Sequence, residues 1–110
     1  MSRIEIIELP RIYDPRGCLS VAEENTHIPF GIKKVEWKHI GIIHSDAPME
    51  LEHGSMMLIA LAGEITIQVM EEARIITLNR PNQALILREG SRSRITHSTK
   101  QSLLLTIHQK

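Results

Sequence analysis

The stretch MMLIALAGEITIQV, residues 56–69, decides the fold. Met56 to Leu61 is an unbroken apolar run, short and bounded by turn residues, which suits a strand buried on both faces. Gly63 then marks a turn. From Glu64 to Val69 polar and apolar residues alternate with period two, as in a strand with one face on a core. Strand, glycine turn and strand in succession point to a β protein.

Outward from this pair, the same grammar repeats. Ile4-Glu5-Ile6 begins one segment, and Cys18 to Ala22 follows the turn Asp14-Pro15-Arg16-Gly17. Val35 to Ile40 alternates as far as Lys38. Arg74 to Leu78, Ala84 to Leu87, Ser91 to Thr96 and Ser102 to Ile107 complete the set. Glu71-Glu72, Asn79 to Asn82, Glu89-Gly90 and His97 to Lys100 separate them. This spacing predicts an all-β barrel or sandwich of about eight or nine short strands with little helix. The best helical candidate, Val21 to Asn25, is short and closed off by Pro29. At 110 residues, with no linker, repeat or low-complexity stretch, residues 1–110 are expected to form a single domain.

Formal charge is zero and no long basic block appears, so charge favours neither nucleic acid nor an anionic membrane as partner. Tyr13, Phe30 and Trp37 are the only aromatic residues, too sparse for stacking along a single strand of nucleic acid. The one cysteine, Cys18, cannot close an internal disulfide and has no neighbouring base, which fits a half-buried strand residue in a reducing compartment. No apolar run approaches a membrane span of about 20 residues, and the N-terminus carries no signal-peptide pattern. A cytoplasmic protein is expected. Phosphate loops, nucleophile elbows and Cys-x-x-Cys pairs are absent.

Several segments, in order and in register, resemble the WxcM-like sugar-nucleotide 3,4-ketoisomerases. They are Asp14-Pro15-Arg16-Gly17, Ala22-Glu23-Glu24-Asn25, Ile28-Pro29-Phe30, Ile32-Lys33-Lys34-Val35, Leu58 to Gly63, and Leu78-Asn79-Arg80-Pro81. The resemblance implies a cupin jelly roll, a homodimer, and relocation of the keto group of dTDP-4-keto-6-deoxyglucose. It also implies a His-Ala-His pair before the Leu58 strand, one histidine acting as general base.

Aligned back from Gly63, those positions hold Met49, Glu50 and Leu51, and the preceding arginine position holds Asp46. Glu36 stands at an expected tyrosine position beside Trp37, and an expected late tryptophan falls at about Arg92. A general base must bind a proton reversibly near neutral pH, and methionine and leucine do not. A displaced base would be His53, which shares strand parity with 49 and 51, or Glu52. The remaining histidines, at 27, 39, 44, 97 and 108, are scattered without ligand spacing. Metal-binding cupins place ligands where this chain has Met49, Leu51, Ser55 and Ser93, a poor set for zinc, iron or manganese, so no metal and no cofactor are expected.

If positions 49, 51 and 93 face the interior, as the ligand positions of the resemblance imply, they give it a greasy lining, either a packed core or a pocket for an apolar ligand. Arg92 and Arg94 then face outward, near Arg88. The leading expectation is a degenerate, non-catalytic member: a binding or regulatory protein of nucleotide-sugar or surface-polysaccharide metabolism. Arg16, Trp37 and His53 are its candidate ligand contacts. The alternatives are an active isomerase with a displaced base, and a solid-barrel interaction protein whose partner is a second copy or another enzyme.

Overall fold

The computed structural model describes residues 4–14, 17–20, 22, 28–51, 54–70, 73–88 and 91–109, giving the backbone alone for 11–14 and 17–20. Among them are eleven strands and no helix. They are β1 Ile4–Glu8, β2 Arg11–Asp14, β3 Gly17–Ser20, β4 Ile32–Ile40, β5 Met49–Glu50, β6 Met56–Ala62, β7 Ile65–Val69, β8 Arg74–Leu78, β9 Gln83–Leu87, β10 Ser93–Ser98 and β11 Ser102–Gln109. Nine of them build two antiparallel sheets, in the orders β1-β9-β6-β11-β4 and β5-β10-β7-β8. β2 and β3 pair as a separate hairpin. From β4 to β11 the chain passes repeatedly between the sheets, which is the jelly-roll pattern that the family resemblance implies.

Expected and observed strands agree closely where the alternation is strong. β4 starts three residues earlier than its clean alternation, at Ile32. β2 and the two-residue β5 are additions that a periodicity reading cannot supply, since so few residues show no period. The helical candidate at Val21 to Asn25 falls largely outside the described residues.

β6 explains why residues 56–60 are apolar without a break. Met56, Leu58 and Ala60 face the other sheet and belong to the main core with Ile65, Ile67, Val69, Ile76, Leu78, Leu85, Leu87, Ile95 and Leu104. Met57 and Ile59 face the opposite way, into a second cluster with Leu9, Ile28, Phe30, Ala84, Ile86 and Ile107. The five-stranded sheet therefore carries apolar side chains on both faces at its centre. In β7 only the odd positions are fully buried, and the sheet's other face meets solvent.

The turn after β6 needs glycine. Gly63 has φ +74°, and a Cβ there would stand 2.9 Å from the Ser102 Cα and 2.9 Å from the Thr99 hydroxyl. The same turn is tied by the Glu64 amide donating to Thr99 Oγ1 at 2.9 Å and by the Ser102 hydroxyl donating to the Thr99 carbonyl at 2.7 Å.

Candidate functional site

Register places the key positions. Met49 of β5 lies opposite Ile95 of β10, and the Leu51 amide donates to the Ser93 carbonyl at 3.1 Å. Ser93 in turn lies opposite Val69. Directly opposed residues of an antiparallel pair point to the same face. Ile95 and Val69 are core residues, so Met49, Leu51 and Ser93 share the inward face. Leu51 packs on the main core, whereas Met49 sits on an edge strand and stays 37% exposed.

The facing sheet contributes its own side chains at this end. Met56, Leu58 and Ala60 of β6 lie opposite His108, Thr106 and Leu104 of β11. On the far side of β11, Thr106 lies opposite Glu36 and His108 opposite Lys34. Because Met56, Leu58 and Leu104 are core residues, Lys34, Glu36, Lys38, Thr106 and His108 all belong to the inward face. The chain passes from Leu51 to Met56 in a short crossing between sheets. The Leu51–Ser93 end of one sheet therefore lies over the Met56–His108 end of the other. β4 and β5 are sheet edges, so this end forms a mouth.

The mouth holds an acid–base pair. His108 Nε2 donates to Glu36 Oε1 at 2.8 Å. The His108 side chain is 11% exposed and that of Glu36 is 33% exposed, so the carboxylate is the member that meets solvent. The imidazole hydrogen bond holds the Glu36 carboxyl below its ordinary value; partial burial opposes this, and the Lys34 and Lys38 charges support it. Lys34 Nζ lies 4.0 Å from Glu36 Oε2, a wet contact of little energetic weight.

Two further groups mark this end. The hydroxyls of Ser91 and Ser93, both buried, have no hydrogen-bond partner among the described residues. A buried hydroxyl without a partner forgoes about 1–3 kcal/mol, and such groups in native proteins call for an explanation.

The other candidate residues fall in different places. Trp37 lies opposite Leu105 on the outer face of the five-stranded sheet, 64% exposed, and is not part of the mouth. Val35 and His39 share that outer face. Ser55 is half-buried, and its carbonyl accepts from the Gln109 amide at 3.1 Å. Arg94 faces outward as expected, where its Nε donates to Gln68 Oε1 at 2.9 Å and its guanidinium stands 4.0 Å from Glu50. Arg16, Glu52 and His53 lie outside the described residues. No group of three or more metal-ligating side chains occurs among the described residues. A groove of about 600 Å³, lined by His39, Ile40, Gly41, Ala62, Lys100, Gln101 and Leu103, sits at the opposite end from Met49 and Ser93.

Sequence reasoning set His108 among the scattered histidines. The signal that picks it out is parity: Leu104, Thr106 and His108 alternate along one face of β11. A carboxylate at position 36 becomes meaningful only once β4 is known to pair with β11.

The family model described as "WxcM-like, C-terminal" matches residues 2–110. Among solved structures, the chain is similar to the QdtA 3,4-ketoisomerase of Thermoanaerobacterium thermosaccharolyticum, as a double mutant in complex with TDP. Identity is 27%, the match covers 97% of this chain and 80% of that one, and the TM-score is 0.85. It is also similar to the WlaRB TDP-quinovose 3,4-ketoisomerase of Campylobacter jejuni, at 25% identity over 97% of this chain and 85% of that one, with a TM-score of 0.81. No curated protein matches. No helix among the described residues is long and apolar enough to cross a membrane. With an all-β architecture shared with sugar-nucleotide 3,4-ketoisomerases of the cupin fold and a family match running almost end to end, the chain belongs to the WxcM-like family.

Proposed function

We propose that this protein binds a thymidine diphosphate sugar in the mouth between β4–β11 and β5–β10, without proton transfer at positions 49 and 51. The observation that carries this reading is the inward face of β5: Met49 and Leu51 occupy the place where the family resemblance sets its histidine pair, and neither takes up a proton. The two similar ketoisomerase structures supply the ligand class. One QdtA complex contains TDP and another, at 26% identity, contains TDP-4-keto-6-deoxyglucose. Family chemistry through the histidine pair is therefore lost, and ligand recognition is retained. Such a protein serves nucleotide-sugar or surface-polysaccharide metabolism in the cytoplasm as a binding or regulatory component.

The reading includes a homodimer. Val35 and Trp37, exposed on the outer face of β4, continue the apolar cluster formed by Met57, Ile59 and Ile107 on the same sheet. Covering this patch with a second copy buries Trp37, a residue type that anchors interfaces. Trp37→Ser should then shift the sedimenting species from dimer to monomer.

Ligand binding is tested by thermal-shift titration with dTDP and dTDP-glucose, with UDP-glucose and free sugar as controls. Ligand at 100 times Kd raises apparent stability by about 2.7 kcal/mol. A dTDP-selective shift supports the reading, and no shift at millimolar ligand refutes it.

A further inference from the structure

We propose that Glu36, pinned by His108, is the relocated general base of the mouth, and that it removes a proton from the carbon beside the carbonyl of a bound keto sugar. The inference rests on the ligand reading above and goes beyond it. It concerns a carboxylate at a position where the family resemblance implies tyrosine, and a histidine that no motif points to.

Four observations lead to this assignment. First, the pair is built rather than incidental. A 2.8 Å hydrogen bond joins a carboxylate on β4 to a buried imidazole on β11, 72 residues apart in sequence. Second, it lies on the inward face, at the same end as Met49, Leu51 and Ser93. Third, the members are unequally placed. His108 is the more buried member and holds Oε1, while Glu36 is one-third exposed, with Oε2 4.0 Å from Lys34 Nζ. Fourth, the facing strand offers the buried Ser93 hydroxyl, inward by register and without a partner among the described residues, so a polar ligand group reaching it completes its hydrogen bonding.

The chemistry suits these groups. A carboxylate is a competent base for a proton α to a carbonyl; the hydrogen bond from His108 lowers its proton affinity, so what the histidine supplies is a fixed position for the carboxylate rather than added basicity. Glu36 takes the α-hydrogen as a proton. The C–H electron pair becomes the C=C bond of an enediolate, and the carbonyl π pair moves to its oxygen. Lys34 and Lys38, on the same face of β4, bring positive charge toward that oxygen. Returning the proton to the former carbonyl carbon, while the neighbouring hydroxyl passes its proton to the enolate oxygen, moves the C=O by one carbon. Returning a solvent proton to the original carbon regenerates the sugar with its hydrogen exchanged. No oxidant or reductant enters either route.

The test is deuterium wash-in. dTDP-4-keto-6-deoxyglucose is incubated with the protein in D2O, and loss of the proton beside the carbonyl is followed by NMR. The expected result is exchange well above buffer, with Glu36→Gln slower by about 100-fold or more, the range assigned to a general base. Glu36→Asp, which keeps the charge and shortens the reach, should retain part of the rate and shows that charge at this position matters. His108→Leu should move the acid limb of the pH–rate profile to higher pH, because the hydrogen bond that lowers the Glu36 pKa is gone; His108→Gln should restore part of the shift. A merely structural histidine leaves that limb in place. Exchange no faster than buffer in a protein that still gives the dTDP thermal shift overturns this proposal and leaves the binding reading standing. Absence of both overturns the two together. Exchange that persists in a folded Glu36→Gln variant also overturns it and moves the search to Glu52 and His53.

Discussion

Two pairs of serines make the instructive contrast. Ser98 and Ser102, near the Gly63 turn, are as buried as Ser91 and Ser93, near the mouth. Their hydrogen bonding is opposite. The Ser98 hydroxyl donates to the Gly41 carbonyl, and Ser102 is joined to both the carbonyl and the hydroxyl of Thr99. Ser91 and Ser93 have no partner among the described residues. One region spends its polar groups on holding strands together. The other leaves polar groups over beside a carboxylate–imidazole pair. Among these four serines hydrogen-bond accounting separates two regions that residue type and burial do not, although the Asn82 and Gln83 side-chain oxygens at the start of β9 are unpartnered among the described residues as well.

The contrast can be broken or sharpened by substitution, starting with the largest effect. Gly63→Ala should destabilise the protein by about 2–4 kcal/mol, because a Cβ meets the Ser102 backbone in a left-handed turn; urea unfolding measures it. Ser102→Ala should lose about 1–2 kcal/mol by the same assay, since it removes bonds to Thr99 within a buried network. Ala73, at φ 50° in the turn between β7 and β8, should gain about 0.5–1 kcal/mol on replacement by glycine. Gln101→Gly, at φ 62° beside Ser102, is its counterpart near the other pair. Ser93→Ala should change stability by no more than about 0.5 kcal/mol, since no bond is lost, yet weaken the dTDP-sugar thermal shift. A large loss of stability in Ser93→Ala would erase the contrast.

Acid unfolding adds a final, small test. The folded Glu36 pKa lies below its ordinary value of 4.5, so its contribution is fully present above that pH. It is lost as pH falls through the folded value. Glu36→Gln should therefore flatten the stability–pH profile below about pH 4.5 and leave its shape near neutrality unchanged.

The fold was legible because its signals are local. The apolar run at 56–61, the alternation at 64–69 and the turn at Gly63 each reside in a few neighbouring residues, and β6, β7 and their connection follow them. The resemblance and strand parity together also placed Met49, Leu51, Ser93 and Arg94 on their correct faces. The remainder of the site was illegible because it depends on which strands become neighbours. Trp37 sits next to Glu36 in sequence, but adjacent strand residues point to opposite faces, and Trp37 turns outward. His108 carries no local cue at all. Its meaning comes from β4 lying against β11, a pairing set by the whole topology.

That same separation has a kinetic consequence. Glu36 and His108 meet only when β11 inserts between β6 and β4, a closure among the most distant in sequence of any in the fold. Loop closure over such distances is slow compared with forming a hairpin such as β7–β8. During folding, the four-stranded sheet can gather its hairpin early, while the mouth gains its acid–base pair among the last events. Ligand affinity and Glu36-dependent exchange should therefore recover in step with global refolding, with no earlier partial phase.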